Sequence, residues 1–197
     1  MDSQELSVTV VTAEHFFRGV VRTYGHRLLD TLNDPTTDFL AMDDVEVFRA
    51  SQNVRAAQLP TAAVRKDHIG MVLVTTRRHE APEKQANARR EKRRFPAMLA
   101  CLGYDIEGTV HLRGFADPVN ALSHDFHDFF PVTEALVTHG GNTKLKLRVP
   151  VAMIKRDAVS MLHLALDAPS EHDVLASIRE LVPDQLASDP QTSAPLA

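Results

Sequence analysis

Cysteine and tryptophan are almost absent from this chain of 197 residues, which has one cysteine and no tryptophan. A single cysteine, Cys101, excludes an internal disulfide and any zinc knuckle built on cysteines. No run of 18 apolar residues occurs, so the sequence predicts no membrane insertion. Residues 1–5 lack the basic and apolar regions of a secretory signal, and we therefore expect a cytoplasmic protein.

Motifs of common catalytic and phosphate-binding sites are also missing. The chain contains no nucleophile elbow, Walker loop, glycine-rich dinucleotide motif or HExxH. The densest polar cluster holds His124 and His127 with two aspartates, which are ligand types for zinc or iron. Its counterpart in the repeat described next, residues 34–38, has no histidine. We therefore assign no catalytic residue, no metal site and no cofactor, while metal binding by the two histidines stays open.

An internal repeat is the dominant pattern in the sequence. Residues 17–22 recur at 106–111, and residues 60–67 recur at 150–157. The offset is 89 residues for the first match and 90 for the second, so the matches are collinear. This pattern predicts two copies of one unit, at residues 6–76 and 96–166.

Each copy has the pattern of a mainly β unit. Apolar and polar residues alternate over residues 145–153, which is the period of a half-buried strand. We expect each copy to begin with one long strand that bends at a glycine, Gly19 or Gly108. A short helical insertion, a central strand and a C-terminal hairpin should follow.

Three segments lie outside the predicted repeat. Residues 77–95 hold eight Lys or Arg and three acids, a net charge of +5 in a chain of net charge −4. They are predicted to form a charged connector that is helical or partly disordered. An apolar stripe at helical spacing predicts a C-terminal helix over residues 167–186. Residues 187–197, rich in Ser, Pro, Ala and Gln, are predicted to be a disordered tail.

Several segments of the first copy suggest a fold family. Gly19 in the opening strand, then Phe39–Val45, then Val64–Ile69, occur in an order that resembles the small β-barrels of the Sm-like and SH3-like kind. Residues 27–33 also resemble a bacterial small-barrel family of unknown function, in which an Arg-Leu-x-Asp-x-Leu-Asn segment lies between strands. The resemblance implies two tandem small β-barrel repeats, and for Sm-like proteins it implies RNA binding.

The predicted surfaces favour a non-catalytic scaffold, adaptor or accessory subunit of a bacterial cytoplasmic protein assembly. Strand edges can pair with a neighbouring chain, and an amphipathic helix can lie in a partner's groove. We expect a protein partner or self-association. The residues expected to contact the partner lie in the connector and the C-terminal helix: Arg89, Arg90, Lys92, Arg93, Arg94, Leu175, Ile178 and Leu181.

Nucleic-acid binding is the alternative function. The basic connector and two matched turns, Arg65-Lys66 and Lys155-Arg156, offer cations that could contact phosphates. Aromatic residues make up 6% of the chain, so platforms on which bases could stack are scarce. The sequence therefore favours the protein-binding interpretation over the nucleic-acid one.

Overall fold

The fold is given by a computed structural model, which describes residues 5–50, 54–75 and 92–165 except for the side chains of residues 142–145. These residues form ten β-strands. The strands are β1 (Glu5–Val11), β2 (His15–Arg22), β3 (Phe39–Arg49), β4 (Val54–Arg65), β5 (Met71–Val74), β6 (Arg93–Cys101), β7 (Tyr104–Leu112), β8 (Phe129–His139), β9 (Asn142–Lys155) and β10 (Val159–Leu164). The prediction of a mainly β protein is confirmed.

Helical segments are short and lie between strands. Helix α1 spans Leu28–Leu32, within residues 27–33, whose apolar spacing predicts the short helical insertion of the first copy, and α2 spans Pro118–Asn120. The Asp117 side chain caps α2 by accepting hydrogen bonds from the backbone N–H groups of residues 119 and 120. A π-helical turn, Ala121–Asp125, follows α2 directly.

All ten strands belong to one antiparallel sheet, in the order β10-β6-β7-β8-β9-β5-β1-β2-β3-β4. Within the described residues, β4 and β10 each pair with one neighbour, and they do not pair with each other. The prediction of two closed small β-barrels is therefore wrong, and so is the Sm-like and SH3-like resemblance that implied them. The physical reason lies in β5, which pairs with β1 on one side and with β9 on the other. Its hydrogen bonds continue the sheet into the second half of the chain instead of closing the first half.

The predicted C-terminal hairpins are also wrong. A 3-10 turn, Lys66–His68, follows β4, and a second one, Arg156–Ala158, follows β9. Each turn redirects the chain, so β5 does not pair with β4, and β10 pairs with β6 rather than with β9. The backbone N–H of Lys66 donates to the carbonyl of Asp38, which ties the first turn to the start of β3.

The two long opening strands are each a pair of strands joined by a tight turn. In the second half, Leu102 and Gly103 have φ angles of 51° and 76°, and this left-handed pair reverses the chain between β6 and β7. In the first half, the hydroxyl and backbone N–H of Thr12 both donate to the carbonyl of His15 and close the turn between β1 and β2. The apolar periodicity continues across both turns. For this reason the sequence predicts one long strand in place of β1 and β2, and one in place of β6 and β7.

The pairing pattern of residues 5–74 recurs in residues 93–164. In the first half β2 pairs with β1 and β3, β3 with β4, and β5 with β1. In the second half β7 pairs with β6 and β8, β8 with β9, and β10 with β6. The strand register shifts at Gly19 and at Gly108, where a Cβ would lie 2.7 Å from the Asp43 carbonyl and 2.6 Å from Val132 Cγ1. Duplication of one ancestral unit stays a prediction.

The core consists of two apolar clusters, and each cluster takes residues from the other half of the chain. Phe129, Val151 and Met153 of the second half pack in the cluster of the first half. Val11, Met71 and Leu73 of the first half pack in the cluster of the second half. Residues 71–74 of β5 pair with residues 151–154 of β9, and we call this contact the β5–β9 joint. Burial of apolar side chains around it holds the two halves together.

Parts of the predicted outer segments lie beyond the described residues. These are residues 77–91 of the connector, the predicted C-terminal helix at 167–186 and the predicted tail. Of the connector, Arg93–Phe95 begin β6, so the prediction of a helix or disorder is wrong there. No helix in the described part of the chain is long and apolar enough to cross a membrane.

Candidate interaction surface

A groove of about 710 Å³ lies alongside the last residues of β4, and we call it the β4 groove. Its lining includes His15 and Phe17 of β2, Phe39 of β3 and residues 62–65 of β4. The rings of His15 and Phe17 stack with centroids 5.9 Å apart. Phe39 is 50% exposed, which is unusual for a phenylalanine in a sheet with a packed core. The β4 groove therefore combines aromatic surface with a strand edge.

The last residues of β4, which line the groove, also form an edge of the described sheet. Because the Lys66 N–H donates to the carbonyl of Asp38, just before β3, the alternation along a strand directs the N–H and C=O groups of Ala63 and Arg65 away from β3. Within the described residues β4 has no second neighbour that receives them. Such an edge is a template on which another strand can pair.

The basic turn that follows β4 contacts its own chain. Arg65 is exposed and lies 3.5 Å from the Asp67 carboxylate. Lys66 is buried, with 6% of its surface exposed, and its Nζ donates to the carbonyl of Asp34 at 2.9 Å. Burial lowers the pKa of Lys66, and the nearby carboxylates of Asp34 and Asp38 oppose that shift. Lys66 therefore fixes the loop before β3 and does not face solvent.

Lys155, in the equivalent turn of the second half, binds across the β5–β9 joint. Its Nζ donates to the Lys66 carbonyl at 3.3 Å and to Asp67 Oδ1 at 3.2 Å. The same ammonium lies 5.8 Å from the centre of the Phe129 ring. The hydrogen bond from Lys155 lowers the pKa of Asp67. The Asp67 carboxylate thus contacts both Arg65 and Lys155, two of the residues predicted to contact phosphates.

Arg156 is held by its own surroundings in the same way. Its guanidinium lies 3.5 Å from Asp128 and 3.4 Å from Asp157, and it donates to the carbonyl of Phe126 at 3.4 Å. All four cations of the two predicted turns therefore have an acidic or carbonyl partner within the chain. A phosphate would have to compete with these contacts.

The described connector residues are dispersed rather than clustered. Arg94 lies 3.2 Å from Glu134, and the Arg93 guanidinium lies 5.4 Å from the centre of the Phe95 ring. Desolvation, followed by the charges of Arg113 and Arg27, lowers the pKa of Lys92. The remaining predicted contacts lie outside the described residues: Arg89, Arg90, Leu175, Ile178 and Leu181.

The histidines and the cysteine do not form a reactive cluster in the described part of the chain. No group of three or more His, Cys, Asp or Glu residues there is arranged to hold a metal, and this includes the surroundings of His124 and His127. Cys101 is fully buried, and desolvation raises the pKa of its thiol to about 11. A thiol with that pKa stays protonated near neutral pH and is a poor nucleophile.

Sequence reasoning missed the residues that define the β4 groove. The sequence singles out Phe39 only through the fold resemblance, and residues 61–63 only through the repeat. The available signal was the match between Phe39 and Phe129 at an offset of 90 residues. That match does not reveal which of the two phenylalanines lies at a free edge.

Comparisons with known proteins do not extend this description. No protein-family model, curated protein or solved structure matches the chain. The small-barrel resemblance thus has no relative to support it, and the function has to be argued from the β4 groove and the sheet edges.

Proposed function

We propose that this protein is a non-catalytic scaffold or adaptor that binds a polypeptide partner at the β4 groove. The observation that carries the proposal is the edge of β4, unpaired among the described residues, beside a half-exposed Phe39. An incoming strand would extend the sheet with backbone hydrogen bonds, and its side chains would cover the aromatic surface. Backbone hydrogen bonds would supply affinity for the partner strand, and side-chain contacts in the β4 groove would supply selectivity.

Exposed apolar side chains near this edge support the proposal. Val54 and Leu59 of β4 are 58% and 40% exposed, and Phe39 lies on the neighbouring strand. Aromatic and aliphatic groups of this kind form the centre of protein interfaces. The titratable groups that line the groove, such as Arg65, Asp67 and Lys155, are engaged with one another. This arrangement suits binding better than acid–base catalysis.

A photoreactive phenylalanine analogue at position 39 tests the proposal in cells that produce the protein. We expect illumination to link the chain to one or a few defined polypeptides, because an occupied groove brings the partner within reach of the ring. The same analogue at Phe115, which is 84% exposed and does not line the groove, is the matched control.

The test compares the polypeptide adducts formed at position 39 with those formed at position 115. Defined adducts at position 39 that are missing at position 115 support a docking groove. Absence of any polypeptide adduct at position 39, or the same adducts at both positions, contradicts the proposed function.

Nucleic-acid binding has weaker support in the described residues. Lys66 is buried, and Lys155 and Arg156 already contact carboxylates and carbonyls. The alternative would require affinity for RNA or DNA that falls linearly with the logarithm of the salt concentration. Reversal of charge at Arg89, Arg90, Arg93 and Arg94 would then remove binding, whereas the scaffold proposal expects no such affinity.

A further inference from the structure

We propose that the partner at the β4 groove is a second copy of this chain, whose β10 pairs antiparallel with β4. This inference rests on the proposed function and names its partner. The chain already contains one joint of this type, between β5 and β9, and within the described residues β10 and β4 are the unpaired equivalents of those two strands.

The β5–β9 joint provides the template. Residues 71–74 of β5 lie opposite residues 154–151 of β9, in antiparallel register. Lys155 N–H donates to the Gly70 carbonyl at 2.9 Å at one end of the joint. Apolar side chains from both strands enter the core of the opposite half.

Hydrogen-bond register identifies the equivalent positions. The N–H of Lys66 donates to Asp38, and the N–H of Arg156 donates to Asp128, so the ends of β4 and β9 are fixed in the same way. Residues 61–64 of β4 therefore correspond to residues 151–154 of β9. On the other side of the joint, Val8 of β1 pairs with Val74 and with Gly19. At the equivalent position of the second half, Ala97 of β6 pairs with Leu164 and with Gly108. Residues 161–164 of β10 therefore correspond to residues 71–74 of β5.

The burial of side chains differs between the strands of the internal joint, β5 and β9, and the two edge strands of the described sheet, β4 and β10. All four residues at 71–74 and all four at 151–154 are buried. The sequence of burial classes at 61–64 is exposed, half-buried, exposed, buried, and the same sequence occurs at 161–164. The two edge strands thus share one pattern, in which three of the four residues are less buried than their equivalents in the internal joint.

Phe39 and Phe129 show the same contrast at a single repeat position. Phe129 is 2% exposed and packs in the core of the first half, where Asn33 binds its backbone N–H and carbonyl at 2.8 and 2.9 Å. Phe39 is 50% exposed in the β4 groove. A second copy seated on β4 would cover Phe39 as the first half covers Phe129.

The segments proposed to pair also lack the features that normally protect an edge, although Arg55, Pro60 and Arg65 lie elsewhere in β4. Residues 61–64 read Thr-Ala-Ala-Val, and residues 161–164 read Met-Leu-His-Leu. Neither run contains Lys, Arg, Asp, Glu or Pro, the residues with which exposed edges usually discourage pairing. Met161 is 40% exposed at the position where Met71 is buried.

The template fixes a register for the joint between copies. Leu162 of one copy would lie opposite Ala63 of the next, and His163 would lie opposite Ala62. Lys155 contacts Asp67 across the internal joint, so Arg65 of one copy should reach Asp157 of its neighbour. Because β10 meets β4 and not another β10, the contact is head-to-tail, and it generates a ring if the rotation closes and an extended chain if it does not.

Light scattering on the full-length purified protein over a range of concentrations is the first test. We expect the mass to rise above that of one chain, and Arg65→Glu or Asp157→Arg to weaken association roughly tenfold by placing like charges together. The double variant Arg65→Glu with Asp157→Arg should recover association. Arg113→Glu, on an exposed residue that does not line the groove, is the charge-matched control and should leave association unchanged.

Disulfide trapping tests the register. A protein with Ala62→Cys mixed with one carrying His163→Cys should form a linked dimer on mild oxidation, since directly opposed positions in a sheet lie within disulfide reach. Ala62→Cys mixed with Ser160→Cys, which is three residues out of register, should not. Circular dichroism first establishes that each variant is folded, and only then is the formation of linked dimer compared.

The results separate this inference from the proposed function. A monomer at every concentration, no trapped dimer, or association unaffected by charge reversal at Arg65 and Asp157 overturns the second-copy proposal. If the analogue at position 39 then links to a different protein, the scaffold function stands with another partner. If it links only within its own chain, the groove is filled internally and both proposals fail.

Discussion

The equivalent phenylalanines provide a quantitative test of the fold. Phe129→Ala removes a ring that is 2% exposed and lies between the two halves of the core, while Phe39→Ala removes a ring that is 50% exposed. Full burial of a phenylalanine contributes about 1.5–3 kcal/mol, and the cavity left behind raises the cost of its removal to about 3–5 kcal/mol. The exposed ring has about half the transfer energy and leaves no closed cavity, so its removal should cost about 1 kcal/mol.

Urea denaturation of dilute protein measures the two free energies of unfolding. Dilution matters because association of folded chains adds to apparent stability. For a chain of this size, 1 kcal/mol corresponds to about 2–4 °C in melting temperature, so Phe129→Ala should lower Tm by roughly 6–20 °C. Equal costs for the two substitutions, or a cost below about 1 kcal/mol for Phe129→Ala, would refute the assigned packing.

Three further predictions concern the joint between the halves. Asn33→Ala leaves the backbone N–H and carbonyl of Phe129 without their side-chain partner and should lower the free energy of unfolding by about 2 kcal/mol in urea. Gly70→Ala directs a Cβ against Leu102, 2.7 Å from its Cγ, and should cost about 1–3 kcal/mol, part of which Leu102→Ala restores in a double-mutant cycle. The Cys101 thiol should resist alkylation at about pH 8.5 in the folded protein and react after unfolding in urea. Since its pKa rises from 9.0 to about 11 on folding, the unfolded thiol ionises first, and stability should fall as pH rises through that interval and not below it.

Local patterns in the sequence were sufficient to predict most of the elements. Alternation of apolar residues predicts the strand that became β9, the shared plan of the repeat predicts β3 and β8, and the apolar spacing of residues 27–33 predicts the helical turn of α1. Gly19 and Gly108 mark the places where the strand register shifts, because a side chain at either position would collide with the neighbouring strand. These features depend on residues that are close in sequence.

The candidate surface could not be predicted in the same way. The sequence directed attention to the basic turns and the connector, yet Lys66 is buried and Lys155 is held by Asp67. Whether a cation faces solvent depends on which acid or carbonyl the fold brings to it, and those partners lie up to 89 residues away.

Residue patterns alone predict a mainly β chain in which one pattern of strands occurs twice. Which strands are neighbours depends on contacts between residues far apart in the chain, and these are visible only in the folded structure. Phe39 and Phe129 each follow an aspartate and each begin a central strand, but one is exposed and the other is buried. The physical reason is that β5 can pair with only one further strand, so its pairing with β9 covers Phe129 and leaves β4, with Phe39 beside it, at the edge of the sheet.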